Sequence, residues 1–324
     1  MALFNSSRPL LSAHPAHYTL TAFLAFVCLI LLSKRNSIPS IYKAQFATAS
    51  SSKDLLLSER LQRSEEIFQR SRAARKELTD SFGPDPQSFP FTADPNGPWP
   101  AMTVYDFLYP SFNCPWDMER IGATGDGGKW VCGVSQLARQ KTGVIYSFGI
   151  NYESSFEEEV LSRTNFEVWG YDFSVKGFGS QISFTHRNRA HFHAWGLDGR
   201  DDHEGKPPMY TLETLMKLNG HTSIDILKID IETFEFAVME DILNNYKGKP
   251  LPFGQLLIEI HAYEDRFPNS MKLVNWFSAL ENAGLRPFMF EPNLVYANYN
   301  RNGPPHLCEY SFMNVEGAHT LISA

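Results

Sequence analysis

Hydrophobic and polar positions in the C-terminal half of the chain predict strands and helices that follow one another in a regular order. Short apolar runs rich in β-branched and aromatic residues alternate with segments of helical spacing, such as 233–246 and 271–283. The predicted strands are 143–149, 166–173, 255–261, 285–290 and 309–314, together with the run that begins at Ile224. This order predicts an α/β fold with a Rossmann-like, doubly wound and mostly parallel sheet covered by helices on both faces.

The run from Ile224 to Glu235 is the most informative stretch. Lys228, Asp230 and Glu232 alternate with isoleucines, so the three polar side chains are expected on one face of a strand. A buried parallel strand carries such groups mainly at its carboxyl end, where side chains reach the ligand crevice. A solvent-exposed edge strand is the alternative, but the isoleucines favour burial.

A second predicted strand end adds to the same crevice. Glu259 and His261 leave the strand 255–261 on one face, beside the strand of Lys228 if consecutive strands are neighbours. Asp230 is expected near a reacting group, and His261 is the best-placed base for proton transfer near neutral pH. Glu232 and Glu259 are candidates for orienting a substrate or holding a divalent cation. A structural ion-pair network with Lys228 remains the alternative.

The first predicted strand ends in a turn that favours a nucleoside. Phe148 and Gly149 close the strand, and Asn151 follows in the turn, where a glycine permits close approach of a ligand to the backbone. Asp172 ends the next strand, about 20 residues on, where related folds place a carboxylate on ribose hydroxyls. Because the Gly-x-Gly-x-x-Gly pattern is absent, a mononucleoside such as S-adenosylmethionine is favoured over a dinucleotide.

These motifs, in this order, resemble the FkbM-like S-adenosylmethionine-dependent methyltransferases. The resemblance rests on Lys-Ile-Asp-Ile-Glu-x-x-Glu at 228–235, the Phe-Gly turn, Trp-Gly-Tyr-Asp at 169–172 and Ile-Glu-Ile-His at 258–261. The segment 120–133, which contains Asp-Gly-Gly-Lys, is similar to the eukaryotic branch typified by methyltransferase-like protein twenty-four. Two features depart from the family pattern: Thr233 stands where glycine is usual, and the first turn lacks Gly-x-Asn-x-Gly.

The resemblance implies a class I methyltransferase type of fold, with S-adenosylmethionine as methyl donor and an unidentified hydroxyl as acceptor. The residues expected to bind the donor are Phe148, Gly149, Asn151, Asp172, Gly196 and Asp126. The residues expected to act in catalysis are Asp230, His261 and Lys228. Two other functions stay open: a Golgi-type glycosyltransferase that uses Asp230 and Glu232 at a metal-diphosphate, and a membrane-tethered binding module that has lost its chemistry.

Charge narrows the class of partner. The 324-residue chain has a formal charge of −7, and every charged side chain in residues 1–53 is basic, so the remainder is more acidic still. An acidic body disfavours a nucleic-acid backbone as substrate. We therefore expect a small-molecule or glycan acceptor and no nucleic acid.

The N-terminal region predicts a membrane anchor in front of a single large domain. Residues 18–33 form an uncharged apolar run that ends at Lys34 and Arg35, which is typical of an uncleaved signal anchor. The predicted organisation is an anchor region over 1–53, a solvated stem helix and Pro-rich linker over 54–100, and a methyltransferase domain over 101–324.

The orientation of this anchor is predicted from two opposing features. Basic residues after the span would favour a cytosolic body, whereas the layout of span, stem and linker resembles lumenal Golgi enzymes. We expect a single-pass protein of the Golgi or ER membrane with a lumenal catalytic domain. Cys114, Cys132 and Cys308 in the body allow at most one disulfide plus a free thiol.

Overall fold

A central sheet of seven strands organises the protein in the computed structural model, which describes residues 53–81, 103–263, 270–299 and 306–323. The strands are β1 (Met118–Ile121), β2 (Lys129–Cys132), β3 (Val144–Phe148), β4 (Glu167–Tyr171), β5 (Ala190–His193), β6 (Gly196–Leu197), β7 (Met209–Tyr210), β8 (Ile224–Ile229), β9 (Phe253–His261), β10 (Leu285–Pro292) and β11 (Leu307–Asn314). The α-helices are α1 (Lys53–Ser81), α2 (Val134–Leu137), α3 (Ser155–Arg163), α4 (Leu212–Asn219), α5 (Glu235–Asn245), α6 (Ser270–Asn282) and α7 (Leu294–Tyr299).

The seven strands follow the order β10-β11-β9-β8-β3-β4-β5. Neighbours from β9 to β5 are parallel, whereas β11 runs antiparallel to both β9 and β10. The prediction of a doubly wound, mostly parallel sheet is confirmed. Because β4 and β8 lie on opposite sides of β3, the strand order reverses there, and the carboxyl ends of β3 and β8 open the crevice in which such folds bind ligands.

Helices cover both faces of the sheet because the strands are apolar on both sides. Ile145 and Ile226 belong to one core, where Phe156 and Leu161 of α3 pack, whereas Tyr146 belongs to the other. That second core also contains apolar side chains of α4, α5 and α6. Consecutive residues of one strand therefore serve different cores, as the period of two in a strand requires.

Helix α1 packs on the folded body, and the prediction of a solvated stem is wrong for its inner face. Phe68 and Ser64 are buried. The guanidinium carbon of Arg286 lies over the ring of Phe68, 4.2 Å from the ring centre. Arg286 Nε donates to Glu65 at 2.8 Å, and Arg75 pairs with the buried Glu281. Buried aromatic and ionic contacts therefore hold the inner face of α1 on the body.

A short hairpin precedes the sheet. Strands β1 and β2 pair antiparallel, and a disulfide joins Cys114 to Cys132 at the end of β2, with a Cα–Cα distance of 5.8 Å. Cys308 is a buried free thiol, so the three cysteines in the described part of the chain form one bridge plus one thiol. The predicted membrane span at residues 18–33 lies outside the described residues, and none of the helices that are described is long and apolar enough to cross a bilayer.

Candidate functional site

A cavity of about 600 Å³ opens at the carboxyl ends of the central strands. Most residues predicted for the site line it: Asp126, Gly149, Asn151, Asp172, Gly196, Lys228, Asp230, Glu232 and Glu259. Two predicted residues do not. Phe148 packs its ring in the core against Tyr171, with ring centres 4.9 Å apart, and His261 is fully buried behind the cavity wall.

The turn after β3 is held by its neighbours in the sheet. Gly149 has a φ of 78°, and a Cβ there would overlap the backbone carbonyl oxygen of Asp230. The glycine is therefore needed for close approach of the neighbouring strand end, and close approach of a ligand to its backbone stays a prediction. Asn151 and Tyr152, the second and third residues after Gly149, also have a left-handed φ.

Asp172 fixes the conformation of that turn. Its Oδ2 accepts the backbone N–H groups of Ile150 at 2.8 Å and Asn151 at 2.9 Å, and its Oδ1 accepts the backbone and hydroxyl of Ser174. Although burial alone would raise the pKa of Asp172, these hydrogen bonds lower it below its ordinary value. Four accepted hydrogen bonds are about the full capacity of a carboxylate. In this structure Asp172 therefore organises the turn, and the ribose contact stays a prediction.

Lys228 also supports the turn. Its Nζ donates to the backbone carbonyl of Gly149 at 2.8 Å and lies 3.7 Å from the buried carboxylate of Glu157. Glu157 in turn accepts the hydroxyl of Ser147 at 2.5 Å. In this structure Lys228 therefore supports the turn, and its catalytic role stays a prediction.

Asp230 follows β8 directly and belongs to a compact charged cluster. The sequence pattern had suggested that Asp230 and Glu232 lie on the strand. Strand β8 ends at Ile229, so both residues lie in the turn that follows it. Lys129 Nζ lies 3.4 Å from Asp230 Oδ2 and forms a short hydrogen bond to Glu309. Burial would raise the pKa of Asp230, but the positive charges of Lys129, Lys228 and His261 outweigh it and lower the pKa.

Glu259 faces the same cluster from β9. Its Oε1 accepts Asn293 Nδ2 at 2.9 Å, and its Oε2 lies 3.6 Å from His261 Nε2. Strands β9 and β11 place Glu259 directly opposite Glu309. Burial, together with the negative charges of Asp230 and Glu309, raises the pKa of Glu259.

His261 is held by Glu235, the first residue of α5. Glu235 Oε1 accepts the backbone N–H of His261 at 2.8 Å and lies 3.2 Å from its Nδ1. Burial would lower the pKa of His261, but the hydrogen bond and charge of Glu235, with Glu259 and Asp230, raise it to about 9. His261 is fully buried in this structure, and its role as a base for an acceptor in the cavity stays a prediction.

The acidic cluster contains two groups of residues with the spacing of metal ligands. Asp230, Glu259 and His261 each offer one ligand atom, as do Asp126, Glu259 and Glu309, and within each group these atoms lie within 4.8 Å of one another. Glu259 was a predicted ligand and belongs to both groups. Glu232, the other predicted ligand, is 78 % exposed and belongs to neither.

Four residues of the cluster were not assigned from the sequence. Lys129 and Glu235 stand in the quoted motifs at 120–133 and 228–235, and Glu309 begins a predicted strand, so a signal for each was present. Asn293 follows β10 in a segment without a recognisable motif. Its position beside Glu259 depends on the antiparallel pairing of β10 and β11.

Comparison with known proteins finds curated relatives of this chain. Human "Probable methyltransferase-like protein 24" is 25 % identical over 193 residues, which cover 56 % of this chain and 50 % of that protein. The rat protein of the same name is 25 % identical over 199 residues, 58 % of this chain and 52 % of that protein. The chain thus spans about half the length of the curated relatives it matches.

Among solved structures, the Methanococcus jannaschii fibrillarin pre-rRNA processing protein aligns over 61 % of this chain and 83 % of its own, at 10 % identity and a TM-score of 0.35. Similarity at that level does not establish a shared fold, so the fold assignment rests on the strand order and pairing. The alternative of a glycosyltransferase has no support in these matches, and the prediction of a methyltransferase is confirmed by a family model described as "Methyltransferase domain". That model matches residues 70–303, well over half of the 324 residues, and the chain therefore belongs to this methyltransferase family.

Proposed function

We propose that the protein transfers the methyl group of S-adenosylmethionine to a hydroxyl oxygen, as an FkbM-like enzyme. The observation that carries the proposal is that two groups of residues with different chemistry line one cavity. On one wall are the turn 149–151 and Asp172, and on the other are Asp230 and Glu259 with their charged neighbours.

The first wall suits the donor. The turn follows β3 at the point where the strand order of the sheet reverses, the position at which such folds bind nucleosides. Asp172 and Lys228 hold the turn from both sides through the amides of Ile150 and Asn151 and the carbonyl of Gly149. A turn held in this way is preorganised, which lowers the entropy cost of binding.

The second wall suits a hydroxyl acceptor. In methyl transfer the acceptor oxygen attacks the methyl carbon, the C–O bond forms as the C–S bond breaks, and S-adenosylhomocysteine leaves. The oxygen then carries a proton that it readily loses, so even a weakly basic carboxylate at hydrogen-bond distance can accept it. Asp230 faces the cavity and fits this role, because its carboxylate can align the hydroxyl and receive the proton.

The acceptor that we propose is a small molecule or a glycan. The formal charge of −7 opposes close approach of a nucleic-acid backbone, and the exposed acid Glu232 stands at the cavity wall. Hydroxyl-rich acceptors are neutral and can donate hydrogen bonds to such carboxylates.

We further propose that the folded body lies in the lumen of the Golgi or ER, behind a single N-terminal span. The support is the disulfide between Cys114 and Cys132, because disulfides persist mainly in oxidising compartments. A glycosylation reporter fused after Ala324 should be modified if the body is lumenal. An unmodified reporter in a membrane-bound chain would place the body in the cytosol.

Calorimetry and radiolabelled transfer assays test the methyltransferase proposal. The full chain should bind S-adenosylmethionine and S-adenosylhomocysteine and label a hydroxyl acceptor from a panel of glycans and metabolites. Asp230→Asn should lower turnover by about 100-fold while donor affinity stays unchanged, since this is the usual scale for a positioned proton acceptor. Asp241→Asn is the matched control, because Asp241 lies on α5, where it accepts a hydrogen bond from Asn245. Failure of the wild-type chain to bind either nucleoside would refute the proposal and favour a binding module.

A further inference from the structure

His261 has a ring nitrogen that is buried and has no hydrogen-bond partner among the described residues. The side chain is 1 % exposed, and its Nε2 makes no hydrogen bond. Nδ1 is engaged by Glu235, so the ring cannot turn to satisfy Nε2 without losing that contact. A buried polar atom without a partner costs free energy, so an unfilled position beside it points to a ligand.

Carboxylate oxygens surround that nitrogen at distances slightly too long for hydrogen bonds. Nε2 lies 3.6 Å from Oε2 of Glu259 and 4.0 Å from Oδ1 of Asp230. Ligand atoms that share one ion at about 2.1 Å lie roughly 3.0 to 3.4 Å apart, for octahedral and tetrahedral angles respectively. Glu259 Oε2 would have to move about 0.2 to 0.6 Å and Asp230 Oδ1 about 0.6 to 1.0 Å toward Nε2 to reach the spacing of ligands that share one ion.

We infer that Asp230 Oδ1, Glu259 Oε2 and His261 Nε2 form a binding site for a divalent transition-metal ion. One imidazole nitrogen with two carboxylate oxygens suits Mn²⁺, Fe²⁺ or Zn²⁺ better than Mg²⁺ or Ca²⁺, which prefer all-oxygen sites. The expectation of a cation held by Glu232 and Glu259 is thereby changed, since His261 and Asp230 replace Glu232.

Each proposed ligand is oriented through its other polar atom. Glu235 holds Nδ1 of His261, Asn293 donates to Oε1 of Glu259, and Lys129 lies 3.4 Å from Oδ2 of Asp230. Such outer contacts are the usual means by which proteins fix metal ligands. Lys129 is itself paired with Glu309, so its charge does not fill the site.

The remaining coordination positions of the ion would face the donor and acceptor. Asp230 and Glu259 line the cavity, whereas His261 lies behind them. An ion with an open side toward a hydroxyl polarises it and makes its proton easier to remove. This catalytic role rests on the proposed methyl transfer, but binding of the ion does not.

Titration of the chelator-treated full chain with Mn²⁺, in the absence of donor, tests the site. His261→Ala, Asp230→Asn and Glu259→Gln should each weaken Mn²⁺ binding by at least about 10-fold, since even changes around a ligand act on that scale. Glu153→Gln, which changes another carboxylate that lines the cavity, is the charge-matched control and should bind Mn²⁺ like the wild type. Unchanged affinity in His261→Ala overturns the site.

Two further measurements separate the rival outcomes. Asp126→Asn tests the other acidic group, and a loss there equal to that in His261→Ala would overturn our assignment. Pulsed EPR of Mn²⁺ bound to wild-type chain labelled with ¹⁵N-histidine should show coupling to a directly bound imidazole. Its absence would refute the site even if His261→Ala does not fold.

Donor calorimetry on metal-free protein distinguishes this inference from the proposed function. Binding of S-adenosylmethionine without binding of Mn²⁺ would refute the cation site alone. Binding of Mn²⁺ without binding of S-adenosylmethionine would refute methyl transfer and leave the cation site standing.

Discussion

The carboxylate of Asp172 accepts the backbone N–H of Asn151 at 2.9 Å, which ties the end of β4 to the turn that follows β3. The same oxygen accepts the N–H of Ile150. The ends of two adjacent strands are therefore joined into one rigid corner at the proposed donor site. The sequence motifs assign the carboxylate of Asp172 to the ligand, but in this structure it fixes the backbone of the turn.

Replacement of Asp172 by Asn should weaken binding of S-adenosylmethionine. Asparagine offers one acceptor oxygen where the carboxylate offers two, so the turn 149–151 loses its fixed conformation. We expect a loss of about 1.5–3 kcal/mol, the scale of a hydrogen bond to a charged group, measured by calorimetry. Ser174→Ala, which removes one donor to Oδ1 and spares the turn amides, should cost less. Equal effects of the two variants would contradict the role given to Oδ2.

The stability contributed by Asp172 should depend on pH. Its pKa is lowered in the folded protein, so the contribution is present above the pKa of the unfolded chain, about 4, and is lost as pH falls through the folded value. The difference in free energy of unfolding between wild type and Asp172→Asn should be constant from pH 7 to about 5 and shrink toward pH 3. A difference that grows on acidification would show that the sign is wrong. Urea denaturation at each pH provides the measurement.

Replacement of Gly149 by Ala should distort the turn that follows β3. A Cβ at this position would overlap the carbonyl oxygen of Asp230, and a φ of 78° is unfavourable for alanine. The strain should cost about 1–3 kcal/mol of stability, with weaker donor binding. Gly177→Ala is the matched control, because nothing lies within 4 Å of a Cβ built there. If the Gly149→Ala variant were as stable as this control, the backbone arrangement described for the corner would be excluded.

Truncation of Phe68 tests the docking of α1. The ring is fully buried and lies under Arg286, so Phe68→Ala should lower the free energy of unfolding by about 3–5 kcal/mol in chemical denaturation. Leu78→Ala changes a residue of the same helix that is 46 % exposed and should have an effect within about 0.5 kcal/mol. If both variants were equally stable, α1 would behave as the solvated stem that the sequence suggested.

Local patterns in the sequence were sufficient to predict the sheet and the position of the crevice. The apolar runs at 143–149 and 255–261 correspond to β3 and β9, and β8 and β9 are parallel neighbours as expected for consecutive strands. Such predictions succeed because a strand buried on both faces needs apolar side chains at nearly every position. Polar residues at the end of such a strand are then recognisable in the sequence, because they interrupt or follow an apolar run.

The roles of individual polar side chains required the tertiary structure. Lys228 and Asp230 share one face in the sequence pattern, yet Lys228 Nζ binds the carbonyl of Gly149 while Asp230 meets Lys129. Backbone conformation is also not predictable from local sequence at Thr233. The backbone there has a φ of 82°, for which glycine is the favoured residue. No pattern within this chain predicts that conformation, and the one signal for it is the glycine that is usual at this position in the family that the chain resembles.

By itself, then, the sequence determined which segments become buried strands, where the strand ends place charged groups, and that the fold is of a methyltransferase type. Only the tertiary structure decided that α1 belongs to the body, that Cys114 pairs with Cys132, and that the Nε2 of His261 faces three carboxylates from behind the cavity wall. The physical reason is range. Burial and strand periodicity are set by neighbours in sequence, whereas hydrogen bonds and ion pairs form over about 3–4 Å between residues whose meeting depends on how the whole sheet is ordered.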